Sequence, residues 1–141
     1  MKQYLDLVQE VLDRGTRKEN RTGVDTISAF NINYSIDLNE GFPLLTTKEI
    51  SWKNIVVENL WFLSGDLHIG LLKKHGCKFW DHWADDEGYV PSAYGNFWRK
   101  FPIHGEQKYN DQVRYVLDTL KKNPNSRRMV ITASVSYTHL R

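Results

Sequence analysis

The sequence predicts an α+β fold on three observations. Apolar residues recur at helical spacing in three stretches, near residues 4–12, 51–64 and 113–120. Two other stretches, residues 30–36 and 129–133, carry the apolar patterns that are typical of strands. Helices and strands do not alternate regularly along the 141 residues, so α+β is favoured over a repeated βαβ arrangement, in a chain long enough for one ordinary domain.

The N-terminal part predicts a helix, a polar loop and a strand in that order. The helix ends at Gly15, and residues 16–25 form the loop. From Phe30 to Ile36 apolar and polar residues alternate, which predicts a half-buried strand closed by a turn at residues 39–41. The apolar residues that recur at helical spacing are Tyr4, Leu5, Val8, Val11 and Leu12.

The remainder of the chain predicts three further helices and a second strand. The helix from Ser51 to Ser64 is apolar on nearly every side, which is typical of a buried helix. A short helix over residues 66–74 and an irregular, aromatic-rich segment over residues 79–101 follow it. The last helix ends before Pro124 and leads directly into a strand over residues 129–133. Its apolar positions are Val113, Val116, Leu117 and Leu120.

Composition and charge narrow the class of protein. Apolar residues make up 40% of the chain and charged residues 26%, which is typical of a globular protein. The net charge of +2 does not indicate a nucleic-acid or membrane partner. A single cysteine, Cys77, cannot form an internal disulfide, and neither a signal peptide nor a membrane span is predicted. We therefore expect a cytoplasmic protein.

Glu58 is almost the only ionisable residue on the second long helix. Burial favours the neutral form of a carboxyl group, and a carboxyl group that exchanges a proton near neutral pH is suited to general acid/base chemistry. The alternative is that Glu58 and Asn59 form a narrow polar stripe that keeps the carboxylate in water. Spacing alone slightly favours this alternative.

Three arginines are candidate anion ligands. Arg127 and Arg128 follow a Pro-Asn turn, and two adjacent guanidinium groups can bind a phosphate or carboxylate through forked hydrogen bonds. Consecutive strand residues point to opposite faces, so both reach one anion only if they lie in the loop. Arg21, in the Arg-Thr-Gly loop, is a weaker candidate. An exposed basic turn is the simpler interpretation of each.

The tryptophans, the histidines and the cysteine give weaker indications of a functional site. Trp80 and Trp83 flank Asp81 and His82 and could hold a planar ligand, although tryptophans are more often core residues. The histidines at positions 68, 75 and 82 do not have metal-ligand spacing, and no metal site is predicted. Cys77 has basic neighbours, but a lone cysteine is usually inert.

Six motifs that occur in order extend this interpretation. They are Asn20-Arg21-Thr22-Gly23, the stretch from Gly41 to Lys48, the stretch from Glu58 to Leu63, Phe79-Trp80-Asp81-His82-Trp83-Ala84, the stretch from Tyr94 to Arg99, and the stretch from Asn123 to Arg128. Together they resemble the N-terminal half of thymidylate synthase, over residues 1 to about 133. The resemblance implies a mixed sheet with packed helices that is incomplete in this chain.

The resemblance also implies an activity: methylation of deoxyuridine monophosphate (dUMP) at C5, with 5,10-methylenetetrahydrofolate as carbon donor and reductant and without a metal. By position, Glu58 matches the glutamate that organises proton transfer, and Tyr94 matches a tyrosine of the active-site hydrogen-bond network. Arg21 matches a phosphate ligand. Arg127 and Arg128 match twin arginines that reach the partner's site across a homodimer. The positions that match the folate site are Lys48, Ser51, Trp80 and Trp83.

The chain departs from the family pattern at its end. Residues 134–141 resemble nothing in the family, so we divide the chain into a family part, residues 1–133, and a non-family tail, residues 134–141, that suggests a sequencing or cloning artefact or a frameshift. The catalytic cysteine of the family is absent, and Cys77 does not match its position. Ser51 stands where a larger side chain is usual near the folate. The expectation is a fragment that is inactive alone.

Two alternatives stay open at this point. One is a non-catalytic fragment that binds a nucleotide phosphate. The other is a related deoxycytidylate hydroxymethylase, because the residues that read the base are not in this chain.

Overall fold

The structure, a computed structural model, describes residues 2–133 and confirms the α+β class. It contains five α-helices and two small antiparallel hairpins in that range. The chain divides between Ile50 and Ser51 into two compact units. Within the described range, each helix is too short or too polar to cross a membrane. The predicted tail, residues 134–141, lies outside the described residues.

The first unit begins with the predicted helix. Helix α1 spans Lys2–Arg14, and the N–H of Gly15 donates to the carbonyl of Val11, 2.8 Å away. Strands β1, Thr16–Lys18, and β2, Thr26–Ser28, form an antiparallel hairpin. Most of this hairpin falls in the segment that the sequence predicted as a polar loop. The hairpin is short and exposed, so it lacks the apolar alternation by which a strand is recognised.

The strand predicted over residues 30–36 is wrong, since no strand is formed there. Asn31 has a positive φ of 56°, a left-handed conformation that interrupts an extended chain. Phe30, one of the predicted inward-facing residues, is 83% exposed. A strand also needs a hydrogen-bonded neighbour, and alternation of residue types does not supply one. A short 3-10 helix, Leu38–Glu40, follows this segment.

The second unit is mainly helical. Helices α2, Trp52–Ser64, and α5, Gln112–Lys122, confirm the two predicted long helices. Helix α4, Tyr94–Arg99, and the hairpin of β3, Phe101–Pro102, with β4, Tyr109–Asn110, lie where the sequence predicted irregular structure or no element. A 3-10 helix spans Asp81–Trp83.

Helix α3, Gly70–Lys74, begins later than predicted. The residues before it are held in extended pairing: His68 bridges Tyr89, and the N–H of Val90 donates to the carbonyl of Leu67, 2.9 Å away. The predicted start at residue 66 was therefore wrong because tertiary pairing removes those residues from the helix.

The core lies against one side of helix α2. Val57, Trp61 and Phe62 are its buried positions, and the buried cluster continues through α3 and the following loops. The prediction that α2 is buried on nearly all sides is wrong for this chain. The predicted apolar stripe contains residues that are 37–56% exposed, namely Trp52, Val56, Leu60 and Leu63.

Arg99 connects three helices of this unit. Its Nε lies 3.0 Å from each carboxylate oxygen of Asp111, and its Nη2 lies 2.9 Å from Oδ2. Its Nη1 donates to the carbonyl of Leu63 at 2.5 Å, in the last turn of α2. Asp111 is also the N-cap of α5, since its Oδ1 accepts the N–H of Arg114. One guanidinium thus fixes the end of α2, the end of α4 and the start of α5 relative to one another.

The strand predicted over residues 129–133 is also absent. A side chain takes the place of a neighbouring strand: Gln112 Oε1 accepts the N–H of Thr132 at 2.9 Å, and Gln112 Nε2 donates to the Thr132 carbonyl at 2.9 Å. Nε2 also donates to the carbonyl of Phe97 at 2.8 Å. The β-branched residues predicted an extended chain, but the pairing partner is an amide side chain rather than a strand.

Helices α2 and α4 are in close contact at Gly95. A Cβ atom at this position would lie 2.5 Å from the carbonyl oxygen and 3.0 Å from the Cα of Phe62. These are backbone atoms, so they cannot move aside as the end of a side chain would. The glycine therefore permits the contact that places the first residue of α4, Tyr94, beside the ring of Phe62.

We expect Gly95→Ala to destabilise the chain by roughly 1–3 kcal/mol, the cost of overpacking a close contact. Helix propensity alone predicts the opposite, a stabilisation of up to about 1 kcal/mol, because alanine is the better helix former. The sign of the change in the free energy of unfolding, measured by urea denaturation, separates the two effects. A more stable variant would show that the two helices can separate at little cost.

Asp111 provides a pH-dependent contribution to stability. Partial burial opposes its ionisation, but the hydrogen bonds and charge of Arg99, with the backbone N–H of Arg114, outweigh burial and lower the pKa of this carboxyl below its ordinary value. A lowered folded-state pKa gives stability that is present above the unfolded value of about 3.9 and is lost as pH falls through the folded value.

We therefore expect Asp111→Asn, which keeps a capping acceptor but not the charge, to be less stable than the parent near neutral pH. The difference should shrink below about pH 4. Asp111→Ala also loses the cap and should cost about 1 kcal/mol more than asparagine does. Urea denaturation of the three proteins over this pH range gives the comparison. A parent-to-asparagine difference that does not change with pH would contradict the assignment.

Candidate functional site

The candidate site is centred on Glu58, in the middle of helix α2. Its side chain is half-buried, and Oε1 accepts a hydrogen bond from the indole Nε1 of Trp80 at 2.7 Å. Within residues 2–133 no hydrogen bond is made to the second oxygen, Oε2. One oxygen of the carboxyl group is thus held by an aromatic side chain, and the other is left for a water molecule or a substrate. The acid/base role of Glu58 stays a prediction.

Trp80, the hydrogen-bond donor to this carboxyl group, belongs to a cluster of aromatic rings. The rings of Trp80 and Tyr94 lie 6.0 Å apart, nearly perpendicular, and Phe62 contacts both, with centroids 5.8 Å and 5.3 Å away. Trp61 and Trp98 extend the cluster, at 5.5 Å from Trp80 and 5.7 Å from Phe62 respectively. Edge-to-face geometry of this kind fixes ring orientations. The structure therefore brings together three predicted site residues: Glu58, Trp80 and Tyr94.

The other two predicted cofactor ligands of this unit have different surroundings. Trp83, at the end of the short 3-10 helix, is 59% exposed. Ser51 is the N-cap of α2, where its hydroxyl accepts the N–H of Asn54 at 3.4 Å. Trp83 has an open ring face for a planar ligand, whereas the role of Ser51 that the structure shows is a structural cap.

Arg127 and Arg128 lie in a turn and not in a strand, which meets the condition for both to reach one anion. The turn is closed by the N–H of Ser126 on the carbonyl of Asn123, at 3.0 Å, and by the N–H of Arg128 on the Ser126 hydroxyl, at 3.2 Å. Both arginines are exposed, and neither has an ion-pair partner within residues 2–133.

Arg21 and Lys48 belong to the first unit and are exposed. Arg21 lies in a turn in which the Asn20 side chain accepts from both the N–H and the hydroxyl of Thr22, at 2.9 Å and 2.6 Å. In the described part of the chain, Arg21 has no acidic partner, whereas nearby Arg17 is paired with Asp25. Its guanidinium is accordingly available for an anionic ligand.

Cys77 is fully buried in the core cluster, which supports the interpretation that it is inert. His68 also has a structural role. Its Nδ1 accepts the N–H of Gly70 at 3.0 Å, and its Nε2 lies 3.1 Å from the carbonyl of Glu87. This pairing assigns the proton to Nε2, because Nδ1 must accept.

Sequence reasoning missed the residues that hold the site in place. Arg99, Asp111 and Gln112 were assigned no role, yet they connect α2, α4, α5 and the segment after the arginine turn. The Asp-Gln pair directly before an apolar helical repeat does carry a signal for Asp111, since aspartate is a preferred N-cap. Nothing in the local pattern indicates that Gln112 is buried.

Comparison with known proteins agrees with this arrangement of motifs. The sequence pattern of the thymidylate synthase family matches residues 2–138. A thymidylate synthase of Haloferax volcanii is 48% identical in an alignment 148 residues long that covers 91% of this chain. These matches assign the chain, with its carboxyl group in an aromatic setting and its arginine-bearing turns, to a family of α+β enzymes. The chain is a member of the thymidylate synthase family.

The chain spans 43% of the length of this relative. The family match runs to residue 138, whereas the sequence analysis placed the end of the resemblance near residue 133. The division of the chain at residue 133 stays a prediction.

We expect Trp80→Phe to destabilise the chain by roughly 1–3 kcal/mol, because the half-buried Glu58 loses its hydrogen-bond donor and the cluster loses ring area. Trp83→Phe is the matched control: its ring is largely exposed, so the same substitution should change stability by less than about 0.5 kcal/mol. Thermal and urea unfolding of both variants would decide. Equal effects would contradict a specific Glu58–Trp80 interaction.

Proposed function

We propose that this chain contributes the phosphate-binding arginines, the proton-transfer carboxylate and part of the folate-binding surface to a thymidylate synthase site. The reaction is one-carbon transfer to C5 of dUMP, with 5,10-methylenetetrahydrofolate as carbon donor and reductant. The observation that carries the proposal is the Glu58 carboxyl group held by the Trp80 indole within an aromatic cluster.

The chemistry of C5 methylation explains the need for such a group. A carbon that exchanges hydrogen for a methyl group must release a proton, and a base or a water held by a base must accept it. Glu58 has one oxygen fixed by Trp80, so its orientation is set before substrate arrives. Its other oxygen can hold the water that relays the proton. Tyr94, whose ring meets that of Trp80, completes the hydrogen-bond network in this proposal.

The arginines supply charge for the nucleotide. A phosphate monoester carries close to two negative charges at neutral pH, and guanidinium groups bind it through paired, charge-assisted hydrogen bonds. Arg21, Arg127 and Arg128 are exposed and have no acidic partner within residues 2–133, so binding need not break an existing ion pair. We propose that Arg127 and Arg128 serve the site of the partner subunit in a homodimer.

The folate cosubstrate needs flat apolar surface and a cation. We propose that Trp80 and Trp83 contact its ring system and that Lys48 lies near its glutamate tail. Ser51 is the weakest member of this set, since its hydroxyl is already used as the cap of α2. No step of this proposal requires a metal. The reduced, unpaired Cys77 thiol supports a cytoplasmic location.

The proposal predicts a specific loss of nucleotide binding. The double variant Arg127→Gln/Arg128→Gln should bind dUMP at least about tenfold more weakly, since each hydrogen bond to a charged group contributes roughly 1.5–3 kcal/mol. Arg114→Gln is the matched control, because Arg114 is an exposed arginine already paired with Asp118. Calorimetric titration of dUMP into each protein gives the affinities. Equal losses in both variants would contradict the assignment.

The same variants test the shared site. If Arg21 and the pair Arg127 and Arg128 act in one site from different subunits, then mixing the Arg21→Gln and Arg127→Gln/Arg128→Gln proteins creates heterodimers with one intact site. Random pairing should restore about a quarter of the high-affinity dUMP sites. No restoration after mixing would place all three arginines in one subunit's site or in none.

A non-catalytic nucleotide-binding role is the second candidate for the 141-residue chain, and the burial of its single thiol favours it. Activation of C5 requires a covalent nucleophile, and Cys77 is enclosed in the core. We expect no tritium release from dUMP labelled at C5 in the presence of 5,10-methylenetetrahydrofolate. Release above a protein-free blank that disappears in Cys77→Ser would show that this thiol is the nucleophile after all.

A further inference from the structure

Gln112 is the one buried polar side chain in the described part of the chain, with an exposed fraction of 5%. It is the first residue of α5, directly after the N-cap Asp111. Both hydrogens of its amide nitrogen are used, one on Phe97 and one on Thr132, and its oxygen accepts from Thr132. A buried amide with all of these bonds made is fixed in one orientation.

The position of Thr132 gives this amide a role beyond packing. Thr132 follows Arg128 by four residues, a span of at most about 14 Å of extended chain. On its other side the arginine turn is fixed by Asn123 and Ser126. Between Arg128 and Thr132 the described structure shows no other hydrogen bond. Gln112 is thus the hydrogen-bonded anchor that follows the two arginines.

We propose that Gln112 is a positioning residue for the phosphate ligands. By holding Thr132 against α5 and α4, it keeps the segment that carries Arg127 and Arg128 in the place from which the two side chains bind an anion. This inference rests on the proposed function. A segment fixed at both ends loses less conformational freedom when its side chains bind, so the affinity for the anion is higher.

The first measurement concerns the anchor itself. Gln112→Met removes all three hydrogen bonds and keeps the length of the side chain. We expect the amide hydrogen of Thr132 to exchange with solvent about tenfold faster or more, the effect of losing one ordinary hydrogen bond. Gln107→Met is the matched control, since Gln107 is exposed in the hairpin between β3 and β4. It should leave Thr132 exchange unchanged.

The second measurement is a double-mutant cycle on dUMP affinity. In the parent background Gln112→Met should weaken dUMP binding about tenfold, whereas in the Arg127→Gln/Arg128→Gln background it should have an effect of less than about twofold. A merely structural role would weaken binding equally in both backgrounds. Equal effects, or no effect in the parent background, would overturn the inference.

The outcomes separate this inference from the proposed function. Parent protein that does not bind dUMP, or binds it as well without the two arginines, overturns the proposed function and with it the phosphate-positioning role. Binding that needs the arginines but not Gln112 overturns the inference alone. If Gln112→Met fails to fold, as judged by its thermal unfolding, Thr132→Pro replaces it in the double-mutant cycle on dUMP affinity, because proline has no amide hydrogen whose exchange could be followed. This variant removes the Thr132 N–H while the Gln112 bond to Phe97 stays.

Discussion

The pairing of Arg99 with Asp111 is the interaction on which the helical unit depends. A guanidinium that makes three contacts with one carboxylate and one with the Leu63 carbonyl determines how the ends of α2, α4 and α5 meet. A forked pair of this kind has directional preferences that a lysine could not reproduce. Helix α2 carries Glu58 and α5 carries Gln112, so the geometry of the site and of the arginine segment follows from this one junction.

The aromatic cluster lies between the same helices, α2 and α4, that Arg99 joins. Arg99, the last residue of α4, donates to the Leu63 carbonyl in the last turn of α2. Gly95 lets the two backbones approach at Phe62, and the rings of Tyr94 and Trp98 contact Phe62 there. The indole of Trp80 packs edge-on against Phe62 and donates to Glu58. A carboxyl group can be kept in a half-buried, aromatic setting here because a donor is supplied together with the burial. Trp80 therefore both orients the Glu58 carboxyl group and shields it in part from water.

The exposed apolar side of α2 has a different explanation from its buried side. Trp61 and Phe62 face the core, whereas Leu60 and Leu63 on the same helix are exposed. A helix that is apolar all round predicts two covered faces. The described residues cover one. The chain spans less than half of the length of its Haloferax relative.

Several elements could be predicted from local pattern, and the failures share a cause. Helices α1, α2 and α5 follow from periodicity and from caps such as Ser51 and Asp111, because a helix satisfies its own backbone hydrogen bonds. The two predicted strands do not form, because a strand depends on a partner that local pattern does not specify. For Thr132 that partner is the side chain of Gln112, twenty residues earlier in the chain.

The candidate site, like the fold, has features that the sequence predicts and features that depend on tertiary contacts. The sequence by itself determined the family, through motifs in the order of the thymidylate synthase family, and it predicted which residues carry the chemistry: a lone carboxylate on an apolar helix, arginines in turns and a cluster of tryptophans. Only the tertiary structure decided that Trp80 donates to Glu58 and that the ring of Tyr94 packs against the ring of Trp80, since these contacts join residues 22 and 14 positions apart. It also decided that Cys77 is enclosed and Trp83 is not. Residue type fixes what a side chain can do, whereas burial and the identity of its partner depend on how distant segments pack.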